Sequence, residues 1–369
     1  MKFLIAPDSF KGSITASEVC TVLAKVAQSR NHIAQVLPLA DGGEGSLDAI
    51  SSVRFFYPIS TSTTDATGKH ILAKSLYDQK SQTAMLELAR TAGLHQIDTR
   101  LQNCTTTTTF GAGTQIKHLM ALGAKQLILF VGGTATNDAG IGIAEALGFQ
   151  FLDKRSKPLR PIGYNLQKVA HIIPPNLPFP KDLSIEIATD VTNPFCGPSG
   201  AACQYAAQKG ASPEEITMLD RGMQHFAQIL EKDYNFDKSL AGSGAAGGVA
   251  GTLVALLDAR IISGAEKIFE ITRFAEQLQQ NDWLITGEGC TDIQTLQGKL
   301  VGRAINEAQK QKIPTALLSG SIQLSDAQAL QLGASCYWPL AQSHKQIEKS
   351  IRNPKKYLRE RFSEFLDSI

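Results

Sequence analysis

The chain has 369 residues, which is long enough for two domains with a sizeable core. Its 36 lysines and arginines nearly balance 34 aspartates and glutamates, and a net charge of +2 without any basic or acidic block argues against a nucleic acid or membrane partner. The six cysteines form no C-x-x-C pair, so their spacing suits neither a disulfide scaffold nor a zinc site.

The sequence has no segment typical of export or membrane insertion. The apolar stretch near the N-terminus is too short for a signal peptide. The run 244–257 is glycine-rich and shorter than the roughly 20 residues that a membrane span needs, so it predicts a buried helix. We expect a soluble, cytoplasmic protein that acts on small molecules, and the sequence leaves its oligomeric state open.

The predicted elements begin with an alternation of strand and helix. Residues 3–7 have the pattern of a buried strand. Thr15-Ala16-Ser17-Glu18 fits a capping box, and apolar residues at helical spacing follow it. A second strand is predicted at 34–39. This order is typical of a parallel α/β sheet.

The middle of the chain has a different character. A polar, turn-rich stretch at 61–68 is flanked by strand-like runs at 70–77 and 83–87, which indicates antiparallel pairing. Farther along, Ser212-Pro213-Glu214-Glu215 predicts the start of a helix over 212–232.

Strand–helix alternation returns near the C-terminus. The predicted elements there are strands at 282–286, 314–318 and 335–338 and a helix from 298. We therefore predict an α/β fold with two α/β domains. Residues 1–75 plus 283–369 would form a discontinuous, Rossmann-like parallel-sheet domain, and residues 76–282 an inserted mixed α/β domain.

Acids and glycine clusters directly follow several of the apolar runs. They come after the runs that end at residues 7, 40, 131, 189 and 286. Open α/β sheets bind ligands just beyond the carboxyl ends of their strands. Carboxylates gathered there with tight glycine turns suggest Mg²⁺ and phosphates. The pattern predicts nucleotide or phosphoryl chemistry.

The loop 41–45 places Asp41 and Glu44 three residues apart among glycines. Glycines allow the backbone to approach a phosphate, and the two acids could share a metal ion through water. A solvent-exposed turn before a helix, whose N-terminus favours Glu44, explains the same residues without a ligand.

The loop 132–140 gives the sharper signal. Gly132-Gly133-Thr134-Ala135-Thr136-Asn137-Asp138 follows five apolar residues and precedes a helical pattern over 141–147. Amides at such a helix start can hold an anion. Because a plain connecting loop rarely needs so many special residues, we interpret this loop as part of a binding site.

The segment 242–248 contains G-x-G-x-x-G, but the residues before it, 233–239, are polar and do not form a buried strand. The dinucleotide-binding fingerprint requires that strand, so it fails here. A phosphate-binding helix N-terminus and tight helix packing both stay open.

Another acid and glycine cluster lies at 287–294, followed by Gly298-Lys299. A lysine at a helix start is unfavourable for the helix dipole, so we interpret Lys299 as a partner of an anion. The chain has no G-x-x-x-x-G-K-[ST] motif, which excludes a P-loop enzyme.

Three further features of the sequence are weaker indications of function. Asp8-Ser9-Phe10-Lys11 offers a carboxylate, a hydroxyl and a cation, although an ordinary loop with a serine cap would look the same. Lys209 precedes Gly210 and is either a ligand contact or a helix C-cap cation. None of the seven histidines sits in these loops, so we expect an aspartate to act if a base is needed.

With these residues assembled, the chain resembles the glycerate kinase family of bacterial type over nearly its whole length. The segments that carry the resemblance are 5–12, 38–45, Glu87-Leu88-Ala89 before Gly93-Leu94, 132–138, Asp190-Val191-Thr192-Asn193-Pro194, Gln208-Lys209-Gly210-Ala211, 244–248 and Thr286-Gly287-Glu288-Gly289. So many ordered motifs at the family's spacing make the resemblance highly specific.

The resemblance implies ATP-dependent phosphorylation of D-glycerate with Mg²⁺, in a two-domain enzyme whose active-site cleft lies between the domains. It favours the 2-hydroxyl, which gives 2-phosphoglycerate, and a role in the breakdown of glyoxylate, glucarate or related sugar acids. Phosphorylation of the 3-hydroxyl, a kinase for a related hydroxy acid and a non-catalytic sugar-acid sensor are the alternatives. A nicotinamide dehydrogenase would need the missing strand before Gly242.

The sequence departs from the family's usual pattern at three places. Cys290 stands where an arginine usually follows the Gly-Glu-Gly turn, and a cysteine cannot replace a bidentate anion contact. Leu300-Val301 stands where a proline is usual, and Ala206-Ala207 stands where Gly-Pro is common. Arg303 and Lys299 are candidates to compensate for the lost arginine.

General phosphoryl-transfer logic, in which positioning and charge neutralisation do most of the work, then assigns roles. We expect Asp190, Asp41 and Glu44 to hold Mg²⁺ or orient the attacking hydroxyl, and Lys11 to neutralise phosphate or carboxylate charge. The other residues expected to bind substrate or nucleotide are Asp8, Ser9, Gly132, Gly133, Thr134, Asn137, Asp138, Asn193, Lys209, Gly244, Gly247, Gly248, Glu288, Asp292 and Lys299.

Overall fold

The computed structural model of the chain describes residues 1–98, 100 and 102–369, with the backbone alone at 344 and 345. Its contacts divide the chain into two compact units. The first unit contains Met1–Asp41, Asp48–Phe55 and Ala265–Ile369, and the second contains Gly42–Leu47 and Phe56–Gly264. The chain thus contributes both of its ends to the first unit.

Strands and helices are numbered along the chain. The strands are β1 (Lys2–Ile5), β2 (Ile33–Val36), β3 (Tyr57–Thr64), β4 (His70–Asp78), β5 (Thr83–Glu87), β6 (Gln126–Phe130), β7 (Gln150–Leu152), β8 (His171–Ile173), β9 (Ser184–Ala188), β10 (Arg260–Ile262), β11 (Trp283–Thr286), β12 (Cys290–Thr291), β13 (Thr315–Ser319), β14 (Ser321–Ile322) and β15 (Cys336–Pro339).

The helices are α1 (Ala16–Ser29), α2 (Ser46–Ser51), α3 (Ala89–Ala92), α4 (Phe110–Ala121), α5 (Ile141–Ala146), α6 (Ala201–Tyr205), α7 (Pro213–Tyr234), α8 (Ala245–Leu257), α9 (Gly264–Thr272), α10 (Phe274–Leu278), α11 (Ile293–Leu296), α12 (Leu300–Lys310), α13 (Asp326–Leu332), α14 (His344–Arg352) and α15 (Pro354–Asp367). Among the described residues, none of these helices combines the length and apolar composition needed to cross a membrane.

Local sequence signals set the starts of two of these helices. The predicted capping box at the start of α1 is confirmed, since the Thr15 hydroxyl accepts from the amide of Glu18 and the Glu18 carboxylate accepts from the amide of Thr15. The predicted start of α7 is also confirmed: Ser212 and Glu215 form the same reciprocal pair, with a proline at the first helical position.

The first unit is built on a parallel sheet. Its five strands lie in the order β15-β13-β11-β1-β2, and every neighbouring pair is parallel. Phe3 and Ile5 face a core shared with α1 and α15, whereas Leu4 faces a second core with α10 and α12. Helices therefore cover both faces of the sheet, as parallel sheets require.

The second unit is built on a mixed sheet of six strands in the order β10-β9-β6-β5-β4-β3. The first four are parallel, and β4 pairs antiparallel with both β5 and β3, as the polar turns predicted. One core packs the sheet against α4 and α8, and a second surrounds α7 with phenylalanines that include Phe195 and Phe226. The predicted α/β class, a parallel-sheet domain from both chain ends and an inserted mixed domain, is confirmed.

The limits of the two units differ from the predicted boundaries near residues 75 and 282. Strand β3 pairs with β4 along its whole length, which places residues 57–64 in the second unit. Residues 265–282 lie in the first unit, where Ala265 and Phe274 pack against Leu4 and Leu284.

The aromatic core of the first unit gives a prediction for stability. The fully buried Phe365 ring lies 5.2 Å from the Trp283 ring and 6.2 Å from the Trp338 ring, measured between centroids. Phe365→Ala should lower the free energy of unfolding by about 3–5 kcal/mol because it leaves a cavity. Both tryptophans of the chain belong to this unit, so their fluorescence in a urea titration reports its unfolding.

The control is Leu330→Ala, which truncates a side chain that is 84% exposed on α13 of the same unit. We expect this variant to stay within about 0.5 kcal/mol of the wild type. Equal effects of the two substitutions would contradict the described core.

Candidate active site

In the first unit, the segments that follow β1, β2 and β11 lie side by side at the carboxyl edge of the sheet. The amide of Leu39 donates to the carbonyl of Pro7 at 2.9 Å, and the amide of Asp8 donates to the carbonyl of Gly287 at 2.8 Å. The parallel pairing thus continues past the strand ends. This edge is where open α/β sheets bind their ligands.

Asp8 lies among other carboxylates at this edge. Burial raises the pKa of Asp8 to about 7, and the negative charges of Asp41 and Glu288 add to the rise. The Ser9 amide, which donates to Asp8 Oδ1 at 2.6 Å, and the Lys11 ammonium act in the opposite direction. The crowded negative charge makes this edge favourable for a cation.

Lys11 supplies a positive charge at the same edge. Its Nζ lies 3.5 Å from Asp41 Oδ2, and the Asp41 charge raises the pKa of Lys11. The side chains are 79% and 43% exposed, so the pair contributes little to stability. The exposed ammonium is therefore accessible to an anionic ligand.

Hydroxyl groups orient Glu288. Its Oε1 accepts from Thr295 Oγ1 at 2.6 Å and from Thr291 Oγ1 at 3.4 Å, and Thr291 also bonds Ser319 Oγ at 2.6 Å. Burial raises the pKa of the Glu288 carboxyl. Asp41 and Glu288 both act on the charge of Asp8, so the first unit brings these three acids together. Their positions after three parallel strands predicted this.

Asp292 and Lys299 lie at the starts of two helices, and both contact Gln294. Asp292 caps α11, with its Oδ1 accepting from the Gln294 amide at 2.8 Å. Lys299 occupies the N-cap position of α12, as predicted, and its Nζ contacts Gln294 Oε1. A local structural role thus accounts for the carboxylate of Asp292.

Arg303, one of the two residues considered as a substitute for the family's arginine, is held within the first unit. Its Nε donates to the carbonyl of Gly298 at 2.6 Å, and its Nη1 pairs with Glu266 Oε1 at 2.9 Å. Cys290 lies on β12, opposite Ser321 of β14. The Arg303 guanidinium is thus paired with the carboxylate of Glu266, a residue of the protein itself.

In the second unit, glycines allow the loop 42–47 to pack closely on the end of β6. The Gly132 amide donates to the Gly42 carbonyl at 3.2 Å. A Cβ at Gly132 would lie 2.7 Å from the Cα of Gly43, which is closer than real Cβ contacts. The glycines at these positions are therefore required by the approach of two backbones.

The structure brings His95 to Glu44, although His95 lies outside the candidate loops in the sequence. The Leu94 amide donates to the Gly133 carbonyl at 2.9 Å, which holds the segment against the loop. His95 Nδ1 lies 3.4 Å from Glu44 Oε2. No local signal marks His95, because 50 residues separate it from Glu44 and tertiary packing alone joins them.

Glu87 is a second residue near the candidate loops that the sequence did not single out as part of the site. It ends β5 and is 1% exposed. Its Oε1 accepts from the Leu47 amide at 2.7 Å, and its Oε2 accepts from Arg90 Nε at 2.9 Å. Glu87 thus anchors the loop that carries Glu44. Its position at the end of a fully buried strand is the signal that could have revealed it.

Asp138 braces the loop 132–140 from within. Its Oδ2 accepts from the amide and hydroxyl of Thr109 at 2.7 and 2.8 Å, and its Oδ1 accepts from the Gly140 amide at 3.1 Å. Burial raises the pKa of this carboxyl, and these bonds oppose the rise. Asn137 is also fully buried, and its Oδ1 meets no hydrogen-bond partner among the described residues.

The glycines at the start of α8 serve close packing. Ala246, Gly247 and Gly248 all have positive φ inside this helix. A Cβ at Gly247 would lie 2.3 Å from the Thr136 carbonyl oxygen, and one at Gly248 would lie 2.7 Å from Met223 Cε. Of the two interpretations left open, tight packing is confirmed, and phosphate binding at Gly244, Gly247 and Gly248 stays a prediction.

Lys209 ends a short 3-10 turn, and Gly210 follows it in the left-handed conformation, as a C-cap glycine does. The side chain is buried rather than exposed at a helix end. Its Nζ donates to the Thr136 carbonyl at 2.7 Å and lies 3.4 Å from Thr134 Oγ1. Lys209 therefore contacts the loop after β6.

Asp190 and Asn193 follow β9. Asp190 Oδ1 accepts from Ser263 Oγ at 2.7 Å. Both ends of the Asn193 amide are engaged, because its Nδ2 donates to the Ser199 carbonyl at 2.8 Å and its Oδ1 accepts from the Tyr205 hydroxyl at 2.5 Å. Asn193 thus orders its own loop.

The three predicted metal ligands belong to different units. Asp41 lies in the first unit beside Lys11, whereas Glu44 and Asp190 lie in the second unit beside His95 and Ser263. Within residues 1–98, 100 and 102–369, no group of three or more histidines, cysteines, aspartates or glutamates is arranged to hold a metal ion. The ligand set stays a prediction.

The sequence profile described as the Glycerate kinase family matches residues 3–369. The chain belongs to the glycerate kinase family. It is therefore a kinase, and the motifs that suggested the family are spread over both units.

Known members of the glycerate kinase family resemble the chain along most of its length. Glycerate kinase from Haemophilus influenzae is 35% identical over 88% of this chain and 86% of its own. Glycerate 2-kinase from Escherichia coli K12 is 34% identical over 87% of this chain and 86% of its own. A crystal structure from Salmonella typhimurium LT2, provisionally described as glycerate kinase 2, superimposes with a TM-score of 0.78 at 30% identity, covering 100% of this chain and 99% of the other.

The raised pKa of Asp8 gives a prediction for the pH dependence of stability. The folded chain keeps a proton on Asp8 up to about pH 7, whereas the unfolded chain releases it near pH 3.8. The contribution of Asp8 to wild-type stability should therefore fall as the pH rises from about 4 to 7. Asp8→Asn should melt a few degrees higher than the wild type at pH 8 without added metal, and its advantage should vanish at pH 3.

The matched control is Asp326→Asn, at an exposed first-turn position of α13 in the same unit. This variant should lose a little stability through the helix dipole, without the growing advantage between pH 4 and 7. An Asp8→Asn protein that melts below the wild type at pH 8 would contradict the raised pKa.

Proposed function

We propose that the chain transfers the γ-phosphoryl group of ATP to the 2-hydroxyl of D-glycerate, producing 2-phosphoglycerate and ADP. The observation that carries the proposal is the crowding of Asp8, Asp41 and Glu288 beside Lys11 in a chain of the glycerate kinase family. The name of the E. coli relative supports the choice of the 2-hydroxyl. The corresponding role is the breakdown of glyoxylate, glucarate or related sugar acids.

Magnesium fits the oxygen ligands at the carboxyl edge of the first unit. Mg²⁺ in kinases keeps several waters and uses one or two carboxylates together with substrate phosphates, so it needs no three-residue cage. Asp8 and Asp41 would hold the ion there, and a divalent cation would favour the charged form of Asp8, whose pKa is raised by burial and by the Asp41 charge. When bound, the ion would neutralise the charge of the ATP phosphates.

The remaining roles follow from charge and from backbone amides. The exposed ammonium of Lys11 would bind a phosphate or the glycerate carboxylate, and Lys299 would assist it. The amides of Gly132 and Gly133 would hold phosphate oxygens. Asp190, with its carboxylate oriented by Ser263, would orient the attacking hydroxyl and accept its proton.

Glu44 would help to hold the metal ion or orient the attacking hydroxyl, and its proposed role is supported by His95 beside its carboxylate and by Glu87, which anchors its loop. Asp138 and Asn193, by contrast, use their polar atoms within the second unit. We infer that these two residues shape the loops, so the substrate would meet the backbone that they position.

The test is ADP release from Mg-ATP with D-glycerate, with the position of the product phosphate assigned by phosphorus NMR. Turnover that requires both glycerate and Mg²⁺, with the signal of 2-phosphoglycerate, is expected. A 3-phosphoglycerate signal would move the reaction to the other hydroxyl. Glycerate binding without turnover would favour the sensor alternative and direct attention to Cys290.

Asp190→Asn gives a prediction for catalysis. The variant keeps the shape of the side chain and its bond to Ser263 but loses the base, so turnover should fall by about 10²–10⁴-fold. Steady-state ADP release measures this loss, and circular dichroism with thermal melting shows whether the fold is intact.

Asp182→Asn, which removes a largely exposed partner of Lys125 in the same unit, is the matched control and should keep normal turnover. Near-normal turnover in Asp190→Asn would remove this residue from the mechanism.

A further inference from the structure

The second unit buries the cation of Lys209, whose side chain is 4% exposed. The Nζ atom donates to the Thr136 carbonyl at 2.7 Å and lies 3.4 Å from Thr134 Oγ1. Both acceptors belong to the loop after β6. The cation of Lys209 is therefore held by this loop and almost closed to solvent.

A neutral side chain could hold the same backbone carbonyl. Burying an ammonium is costly unless its charge is used, since an ammonium loses strong hydration and offers only donors. The two groups that Lys209 bonds, a carbonyl and a hydroxyl, carry no negative charge. Anchoring of the loop therefore does not explain why this buried residue carries a positive charge.

The titratable groups that face Lys209 offset the effect of its burial only in part. Burial lowers the pKa of Lys209 to about 8, and Cys104 and Asp138 oppose this effect. Burial also raises the pKa of the Cys104 thiol to about 11, so the thiol is neutral at pH 7. Asp138 directs its oxygens to Thr109 and Gly140, and Glu215, which acts on Cys104, accepts from Asn103 at 3.2 Å.

We propose that Lys209 is a positioning residue that fixes the loop 132–137 through the Thr136 carbonyl and keeps a buried positive charge close to the loop amides, strengthening their hold on a phosphate group. Charges act more strongly in the protein interior than in water, so a buried cation attracts an anion bound at this loop. The inference rests on the proposed function, because it assumes that the loop binds a phosphate of ATP.

Two variants separate the charge from the hydrogen bond. Lys209→Met removes both, whereas Lys209→Gln keeps an N–H donor without the charge. At pH 7 both should lose at least about tenfold in kcat/KM for Mg-ATP. At pH 10 the wild-type lysine is itself neutral, so the ratio of wild type to Lys209→Gln should approach one, whereas Lys209→Met should still lack the hydrogen bond.

Stability should change with pH in the opposite direction. Unfolded chains bind a proton on this lysine up to about pH 10.5, whereas the folded chain loses it near pH 8. The stability of the wild type relative to Lys209→Met should therefore rise between pH 8 and 10.5, while its catalytic advantage falls. Thermal melts over this range distinguish an electrostatic effect from simple unfolding.

Calorimetric binding of ADP provides a readout that does not need turnover. Both variants should bind ADP about tenfold more weakly than the wild type at pH 7. Weaker ADP binding in a protein that never turns glycerate over would keep this inference and reject the proposed reaction. Wild-type kcat/KM and ADP affinity in Lys209→Gln, or a ratio of wild type to Lys209→Gln that stays constant from pH 7 to 10, would overturn it.

Discussion

The parallel pairing of β1 with both β2 and β11 is the constraint on which the chemistry of the first unit depends. Parallel strands end at the same edge, so the acids that follow these strands are forced together. The sheet holds Asp8, Asp41 and Glu288 near one another, and the pKa of Asp8 is raised by its burial and, to a smaller extent, by the negative charges of Asp41 and Glu288. Crowded carboxylates at this edge favour the binding of a cation, and of a phosphate compound that is bound to that cation.

In the second unit, the candidate loops are held in place by close packing of their backbones. Gly132 lies against Gly43, and Gly247 lies against the Thr136 carbonyl, so two loops and the start of α8 meet with no room for a Cβ. Buried side chains then fix these loops: Glu87 holds the amide of Leu47, and Asp138 holds that of Thr109. Rigid amides suit the binding of phosphate oxygens, because the geometry exists before the ligand arrives.

The sequence predicts those parts of the molecule whose causes are local. The capping boxes at Thr15 and Ser212 depend on residues three apart, and the acids after strands follow from the general architecture of α/β sheets. The sequence places β3 in the first domain, because residues 57–64 come before the predicted boundary near residue 75. Its pairing with β4, a non-local contact, places it in the second unit.

Features that arise from tertiary packing could not be predicted. His95 reaches Glu44 because the Gly133 carbonyl holds its segment, and the Lys209 side chain is buried where a helix-end lysine is usually exposed.

The most direct test of the account is an NMR titration of the Asp8 side-chain carboxyl carbon in the metal-free protein. The crowded edge predicts a midpoint near pH 7 that moves to lower pH when Mg²⁺ and ATP are added, because the bound cation stabilises the carboxylate. A midpoint near pH 4 that Mg²⁺ and ATP leave unchanged would contradict the claim that these strand ends form a cation site.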